Sequence, residues 1–165
     1  MDMVGGTICP PIPSTTRSTS SRPTPIPDDD ICESVTWNQK GATVAGGNGQ
    51  GSELNQLVIP YGLFIDDNDI IYVADTYNHR VTKLMPGTSN VVVVAGGNGQ
   101  GDRSDQLNAV SSVVVDKNGT IFICDYQNRR VQQWFRDDNQ GQTIISDITC
   151  FGLAMDNEGA LYVSD

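Results

Sequence analysis

From Val35 onward, apolar residues come in short runs separated by Gly, Asn and Asp. Gly62-Leu63-Phe64-Ile65 is one run, and Ile70-Ile71-Tyr72-Val73-Ala74 is the next. Arg80-Val81-Thr82-Lys83-Leu84 alternates polar with apolar, and Val91-Val92-Val93-Val94 follows it. The runs are short, rich in β-branched and aromatic residues, and bounded by turn formers. That is strand chemistry, four strands to a unit. No segment sustains a 3.6-residue apolar period. In the next unit Asp116-Lys117-Asn118-Gly119 separates Val113-Val114-Val115 from Ile121-Phe122-Ile123. Asn-Gly between apolar runs predicts a tight hairpin, because both residues tolerate positive φ.

The pattern repeats. Ala45-Gly46-Gly47-Asn48-Gly49-Gln50-Gly51 returns unchanged as residues 95–101, fifty positions later. Tyr72-Val73-Ala74-Asp75 returns as Phe122-Ile123-Cys124-Asp125 after fifty residues and as Tyr162-Val163-Ser164-Asp165 after a further forty. Four-stranded units at this period predict the blades of a β-propeller. The expected fold is all-β, with antiparallel four-stranded blades over residues 34–165 in units of about 48–97, 98–148 and 149–165, the last truncated. That makes about two and a half blades. The expectation is the front portion of a longer propeller, its remaining blades lying outside this chain; a truncated gene and a genuine short product both stay open.

Residues 1–33 differ. Positions 10–27 hold six Pro and eight Ser or Thr, too little apolar surface to offset ordering. This predicts a disordered, low-complexity segment, either an O-glycosylated stalk outside the cell or an unmodified linker. Asp28-Asp29-Asp30 closes it as a solvated charge run.

The stretch Ile59-Pro60-Tyr61-Gly62-Leu63-Phe64-Ile65-Asp66, with Ile71-Tyr72-Val73-Ala74-Asp75-Thr76-Tyr77-Asn78-His79-Arg80-Val81, resembles the NHL repeat. The second copy departs from it: Val110-Ser111-Ser112 replaces Pro-x-Gly, and Asn128-Arg129-Arg130 replaces Asn-His-Arg. The resemblance implies a propeller blade and leaves the activity open, since one fold hosts many functions.

Composition narrows the field. Net charge is −10; five acids against Arg17 and Arg22 leave −3 on residues 1–33 and −7 on the repeats. An acidic surface opposes phosphate backbones, so no nucleic-acid partner is expected. No apolar run approaches the roughly 18 residues that span a bilayer, and the start lacks the pattern of an export signal. The cysteines, Cys9, Cys32, Cys124 and Cys150, contain no CxxC pair, and His79 is the single histidine, so no metal or other cofactor is expected. Cys124 stands where Ala74 stands one unit earlier, which predicts a small buried side chain. Cys9 and Cys32 flank the Pro-rich segment as potential disulfide partners.

Each remaining motif has a structural and a functional reading. The GGNGQG loops lack a P-loop lysine and predict tight inter-blade connections. The turns at Asp66, Asp116 and Asp156 lack the spaced ligands of a calcium loop and predict Asx turns. Asp75, Asp125 and Asp165 end the second strand of each unit; with His79, Arg80 and Arg130 they are expected to maintain the repeat through hydrogen bonds. Asn118-Gly119-Thr120 is an N-glycosylation acceptor by pattern. That sequon and the Ser/Thr/Pro segment point outside the cell, though the compartment stays open.

The expected function is a non-catalytic module binding a protein or peptide, with blade-specific Tyr61, Tyr77, Tyr126 and Arg129 as contact candidates, since aromatics and arginine dominate hot spots. The family resemblance implies two alternatives. One is an enzyme similar to peptidyl-hydroxyglycine lyases or calcium-dependent lactonases. The other is an RNA-binding propeller, which needs a basic face. No catalytic residue is assigned.

Overall fold

The computed structural model describes residues 3–5 and 40–165. The chain divides into two units, and the one that holds the repeats covers Ala45–Asp165. In the other, β1 (Met3–Gly5) and β2 (Ala42–Ala45) pair as a two-stranded sheet. The Pro-rich segment and the Cys9–Cys32 pairing lie outside the described residues, which contain no helix long and apolar enough to cross a membrane.

The second unit holds the repeats. Blade one is β3 (Pro60–Ile65), β4 (Ile71–Asp75), β5 (Arg80–Leu84) and β6 (Val91–Gly96), paired in chain order. Blade two is β7 (Val110–Val115), β8 (Ile121–Asp125), β9 (Arg130–Trp134) and β10 (Gln142–Ser146), with the same order. A third unit follows as the pair β11 (Gly152–Met155) and β12 (Leu161–Ser164). All neighbours are antiparallel, and the second strand meets the third in one register in both blades: Asp75 faces Arg80, and Asp125 faces Arg130. The fold is all-β, with antiparallel four-stranded blades, as the strand pattern predicts.

First strands pack on first strands, β3 against β7 and β7 against β11, which places them innermost. The approach of β3 to β7 is close. A Cβ on Gly62 would sit 2.7 Å from the Ser111 carbonyl oxygen and 2.9 Å from Ser112 Cα, so only glycine fits. One unit on, serines take over that contact. Ser111 Oγ donates to the Cys150 carbonyl at 3.0 Å, and Ser112 Oγ accepts from the Leu153 N–H at 3.0 Å. The departure from Pro-x-Gly in blade two is therefore a different way of joining inner strands: hydroxyl bonds replace bare backbone proximity.

The apolar core lies between the blades. Tyr72, Ala74, Val81 and Ala95 of blade one meet Leu107, Val110, Val113, Val115, Ile121, Ile123 and Trp134. A second cluster joins blade two to the third unit, where Cys124, Val131 and Cys150 are covered by Ile145, Ile148, Leu153, Leu161 and Val163. Cys124 is fully buried, and it is bonded to Cys150 in a disulfide with Cα atoms 5.3 Å apart.

Candidate functional site

The buried polar frame of each blade is built from the turn after its second strand. A 3-10 turn (Thr76–Asn78) is closed by His79 in the left-handed region, φ 51°, whose N–H donates to the Thr76 carbonyl at 3.3 Å. The turn Tyr126–Asn128 is closed in the same way by Arg129, φ 52°. This reversal brings the strand-ending aspartate, the turn asparagine and the arginine opening the third strand onto one point. Asp75 Oδ2 accepts from Asn78 Nδ2 at 2.7 Å and from Arg80 Nε at 2.8 Å, while its Oδ1 accepts the Val58 N–H at 2.8 Å. Asp125 repeats the set with Asn128 at 2.8 Å, Arg130 at 2.7 Å and the Asn108 N–H at 2.7 Å. Both carboxylates are wholly buried.

The glycine-rich loops supply the rest of the frame. Arg80 donates to the carbonyls of Ser52, Glu53 and Gln56, and Asn78 to that of Gly51. Arg130 donates to Asp102, Arg103 and Gln106, and Asn128 to Gly101. Inside the loops, Asn48 donates to the Asn55 carbonyl and Gln56 to the Asn48 carbonyl, with the same pattern at Asn98 and Gln106. The loops point carbonyls at arginines, a geometry opposite to that of a phosphate cradle, which needs converging N–H groups.

The position after the turn asparagine ties one blade to the next. His79 Nδ1 accepts the Ala109 N–H at 3.0 Å. At the equivalent place Arg129 donates to Thr149 Oγ1 at 3.0 Å and to the Asp147 carbonyl at 3.2 Å. Burial holds the His79 imidazole below its ordinary value of 6.5, against the opposing pull of Asp125 and Asp75. The folded state thus resists a proton that the unfolded chain accepts. Stability from this group is complete above 6.5 and is lost as pH falls through the lowered folded value. Burial raises the Asp125 carboxyl, and its titration carries the opposite sign. The His79 part is therefore read as a difference: between about pH 7.5 and about pH 5.5 the native chain should lose more stability than His79→Gln, measured by urea midpoints. Parallel pH profiles for the two proteins would refute the coupling.

The Asp-led hairpins act as turns. Asp66 Oδ1 accepts the N–H groups of Asn68 and Ile70, each at 2.9 Å. Asp116 accepts from Asn118 and Thr120, and Asp156 from Glu158 and Ala160. The Ala160 N–H leads the bonds that hold the Asp156 carboxyl below its ordinary range. These turns line a groove of about 360 Å³ across the three units, and Asn118 lies exposed on its wall. A larger groove, about 550 Å³, lies between the outer part of blade one and the end of β9 with the turn after it, and is lined by Tyr72, Lys83, Val92, Trp134, Phe135 and Arg136. Among the described residues no three His, Cys, Asp or Glu side chains group as metal ligands.

The contact candidates gather at the opposite end of the blades, where first strands begin and second strands end. Tyr61 is 75% exposed on β3, and Tyr77 is 59% exposed on the neighbouring turn. Tyr126 is half-buried because its ring packs on Phe151, centroids 5.0 Å apart. Phe151 is itself exposed and joins this rim. It stands at the Tyr61 position of the third unit, a signal present in the repeat alignment but hidden by the change of residue. Arg129 is on the same rim, already engaged with Thr149 and Asp147.

Comparison with known proteins bears on this architecture. Residues 57–84 match the NHL repeat, a span that runs from the loop before β3 to the end of β5. No curated protein matches. Among solved structures, the selenomethionine-substituted virginiamycin B lyase from Staphylococcus aureus is similar at 8% identity and TM-score 0.48, covering 64% of this chain and 34% of that one. A catalytically inactive form of that lyase with quinupristin gives 8% and 0.49 with the same coverage. A streptogramin B lyase gives 12% and 0.47, covering 64% and 33%. The chain thus spans about a third of the length of these structures. Residues 57–84 thus carry an NHL repeat, and the blade order and the Asp-Asn-Arg frame of that repeat recur fifty residues on.

Proposed function

We propose that the repeats form a non-catalytic module that binds a protein or peptide on the aromatic rim. The observation that supports this most is the contrast between the rim and the frame beneath it. The Tyr61, Tyr77 and Phe151 side chains are exposed, and the two tyrosine hydroxyls make no hydrogen bond among the described residues. The polar groups under them are committed: Asp75 and Asp125 each accept three bonds, Arg80 and Arg130 each donate to four acceptors, and His79 accepts from Ala109. A general acid or base needs a proton route to substrate, and these groups are taken up within the fold. Exposed aromatics on rigid strand ends give large contact area at small entropic cost. The net charge of −10 favours a partner that is not acidic, and it disfavours nucleic acid. The Cys124–Cys150 bridge fits an oxidising compartment, the setting in which Asn118 would also be modified.

A displayed random-peptide library selected on the immobilised protein tests the reading. Selected peptides should lose about tenfold or more in affinity on Tyr61→Ala or Tyr77→Ala, with unchanged melting temperature, because both side chains are exposed. Selected peptides indifferent to both substitutions would place binding elsewhere and defeat the proposal.

A further inference from the structure

We propose that Asn118 is the attachment point of an N-linked glycan, and that this glycan covers the turn end of blade two. The chain has twelve asparagines, and only this one stands in an Asn-x-Ser/Thr frame. The structure places it where an oligosaccharide is carried without disturbing the fold. Asn118 is exposed on the hairpin that joins β7 to β8. Backbone bonds close that hairpin: the Asp116 N–H donates to the Thr120 carbonyl at 3.0 Å, and the Gly119 N–H donates to the Asp116 carbonyl at 2.9 Å. The Asn118 N–H donates to Asp116 Oδ1 at 2.9 Å. Its side-chain amide makes no hydrogen bond among the described residues. The amides of Asn48, Asn78, Asn98 and Asn128, by contrast, each hold a loop carbonyl. Blade two is complete, and its first strand packs on a neighbour at either side, so this exposure belongs to the turn itself.

The fold has no need of the two residues that make the frame. The third unit builds the same turn with Glu158 at the Asn118 position, and the Glu158 N–H meets Asp156 Oδ1 at 2.9 Å. At the Thr120 position the other units carry Ile70 and Ala160, and all three backbone N–H groups reach the turn aspartate in the same way. Asparagine and threonine thus coincide on a turn that accepts Glu, Ile and Ala in their places. The Cys124–Cys150 bridge is a separate observation with the same direction, since disulfides persist in the oxidising compartments through which N-glycosylated proteins pass. In the transfer, Asn118 Nδ2 bonds to the anomeric carbon of an oligosaccharide while that carbon's bond to a lipid diphosphate breaks. The diphosphate leaves with the electron pair, and the amide gives up one proton. The product keeps every backbone bond of the turn. Its glycan is rooted on the wall of the groove of about 360 Å³, beside the exposed Lys117. A bulky, hydrated chain at this point bars macromolecules from the turn end and leaves the opposite rim clear.

The test is expression of the full chain behind an export leader in a eukaryotic secretory cell. The proteolytic peptide spanning position 118 should carry a hexosamine-based glycan. Its removal by a glycan-specific amidase in heavy-oxygen water should leave a heavy-oxygen carboxylate at that position. Thr120→Ala should lose the glycan completely, and Thr120→Ser should keep it. Asn118→Gln should melt at the temperature of the native chain when both are made without glycan, because the amide has no partner to lose. In the native glycoprotein, labelling of Lys117 by an amine-reactive ester should be slowed relative to Asn118→Gln, with Lys83 as the unchanged reference. Position 118 unmodified in both the secreted and the cell-retained protein overturns the proposal. A lower melting temperature for Asn118→Gln overturns it too, by giving the amide a duty in the fold. Equal labelling of Lys117 in the two proteins would show the turn end uncovered and defeat the shielding role.

Discussion

Asp75→Ala is expected to remove about 3–5 kcal/mol of stability, the scale for breaking a buried ion pair by deleting one partner. Alanine leaves the Arg80 guanidinium in place with its side chain 7% exposed, strips the Val58 N–H of its acceptor, and leaves the Asn78 amide only its bond to the Gly51 carbonyl. Each stranded donor keeps its desolvation cost without compensation. Domains of this kind have about 5–15 kcal/mol in total, so the variant should sit near the edge of folding. Asp125→Ala should act in the same direction, since its pair with Arg130 is as short and its carboxylate as buried, with the Arg130 side chain somewhat more exposed. The exposed pair Arg103–Asp105 is the control: its side chains are 66% and 35% exposed, and Asp105→Ala should leave the urea midpoint nearly unchanged. A midpoint for Asp75→Ala equal to that of Asp105→Ala would show that the frame does not hold the blade.

The second large effect is expected from the disulfide. Cys124 and Cys150 are 26 positions apart, and closing a loop of that size stabilises by about 3 kcal/mol in the chain-entropy account. The bridge also fixes the third unit to blade two, where the other attachments include two serine hydroxyl bonds, the Arg129 bonds, the Lys117 bond to the Asn157 carbonyl, the Tyr126–Phe151 ring contact and a small apolar cluster. Cys124→Ala is the clean variant, because blade one carries Ala74 at the same register in the same fully buried environment. It should unfold at lower urea than the native protein, and a reductant should bring the native protein down to its level. Equal midpoints under oxidising and reducing conditions would refute the stabilising role.

Between them the two experiments separate forces inside a blade from forces between blades. The aspartate frame acts within one repeat and its own loop. The disulfide, the serine pair at Ser111 and Ser112, and the His79 and Arg129 ties act across repeat boundaries. A blade cannot bury both faces of its own sheet, so inter-blade ties govern whether the third unit stays attached when the core is weakened.

The sequence by itself determined whatever depends on near neighbours. Strand runs, Asp-led hairpins and the Asp75–Arg80 and Asp125–Arg130 pairs are set within a few residues: each ion pair spans five positions, across a turn that the fifty-residue repeat marks twice. The tertiary structure alone decided what joins residues distant along the chain. Arg80 finds its carbonyls 24 to 28 positions away, and no pattern of residue types specifies which oxygens a glycine-rich loop will present. Cys124 is legible in sequence as a small buried side chain; that it meets Cys150 follows from β11 packing on β7. Tyr126 is an exposed-rim candidate by residue type, yet it is half-buried, because Phe151 of the next unit comes beneath its ring. Ser111 and Ser112 read as a loss of the repeat's Pro-x-Gly, and only the distance between two inner strands shows them to be hydrogen-bonding substitutes for it. Periodicity encodes the unit because its bonds are short-range; how unit meets unit is fixed by side-chain volumes and donors at a contact that one-dimensional order does not contain.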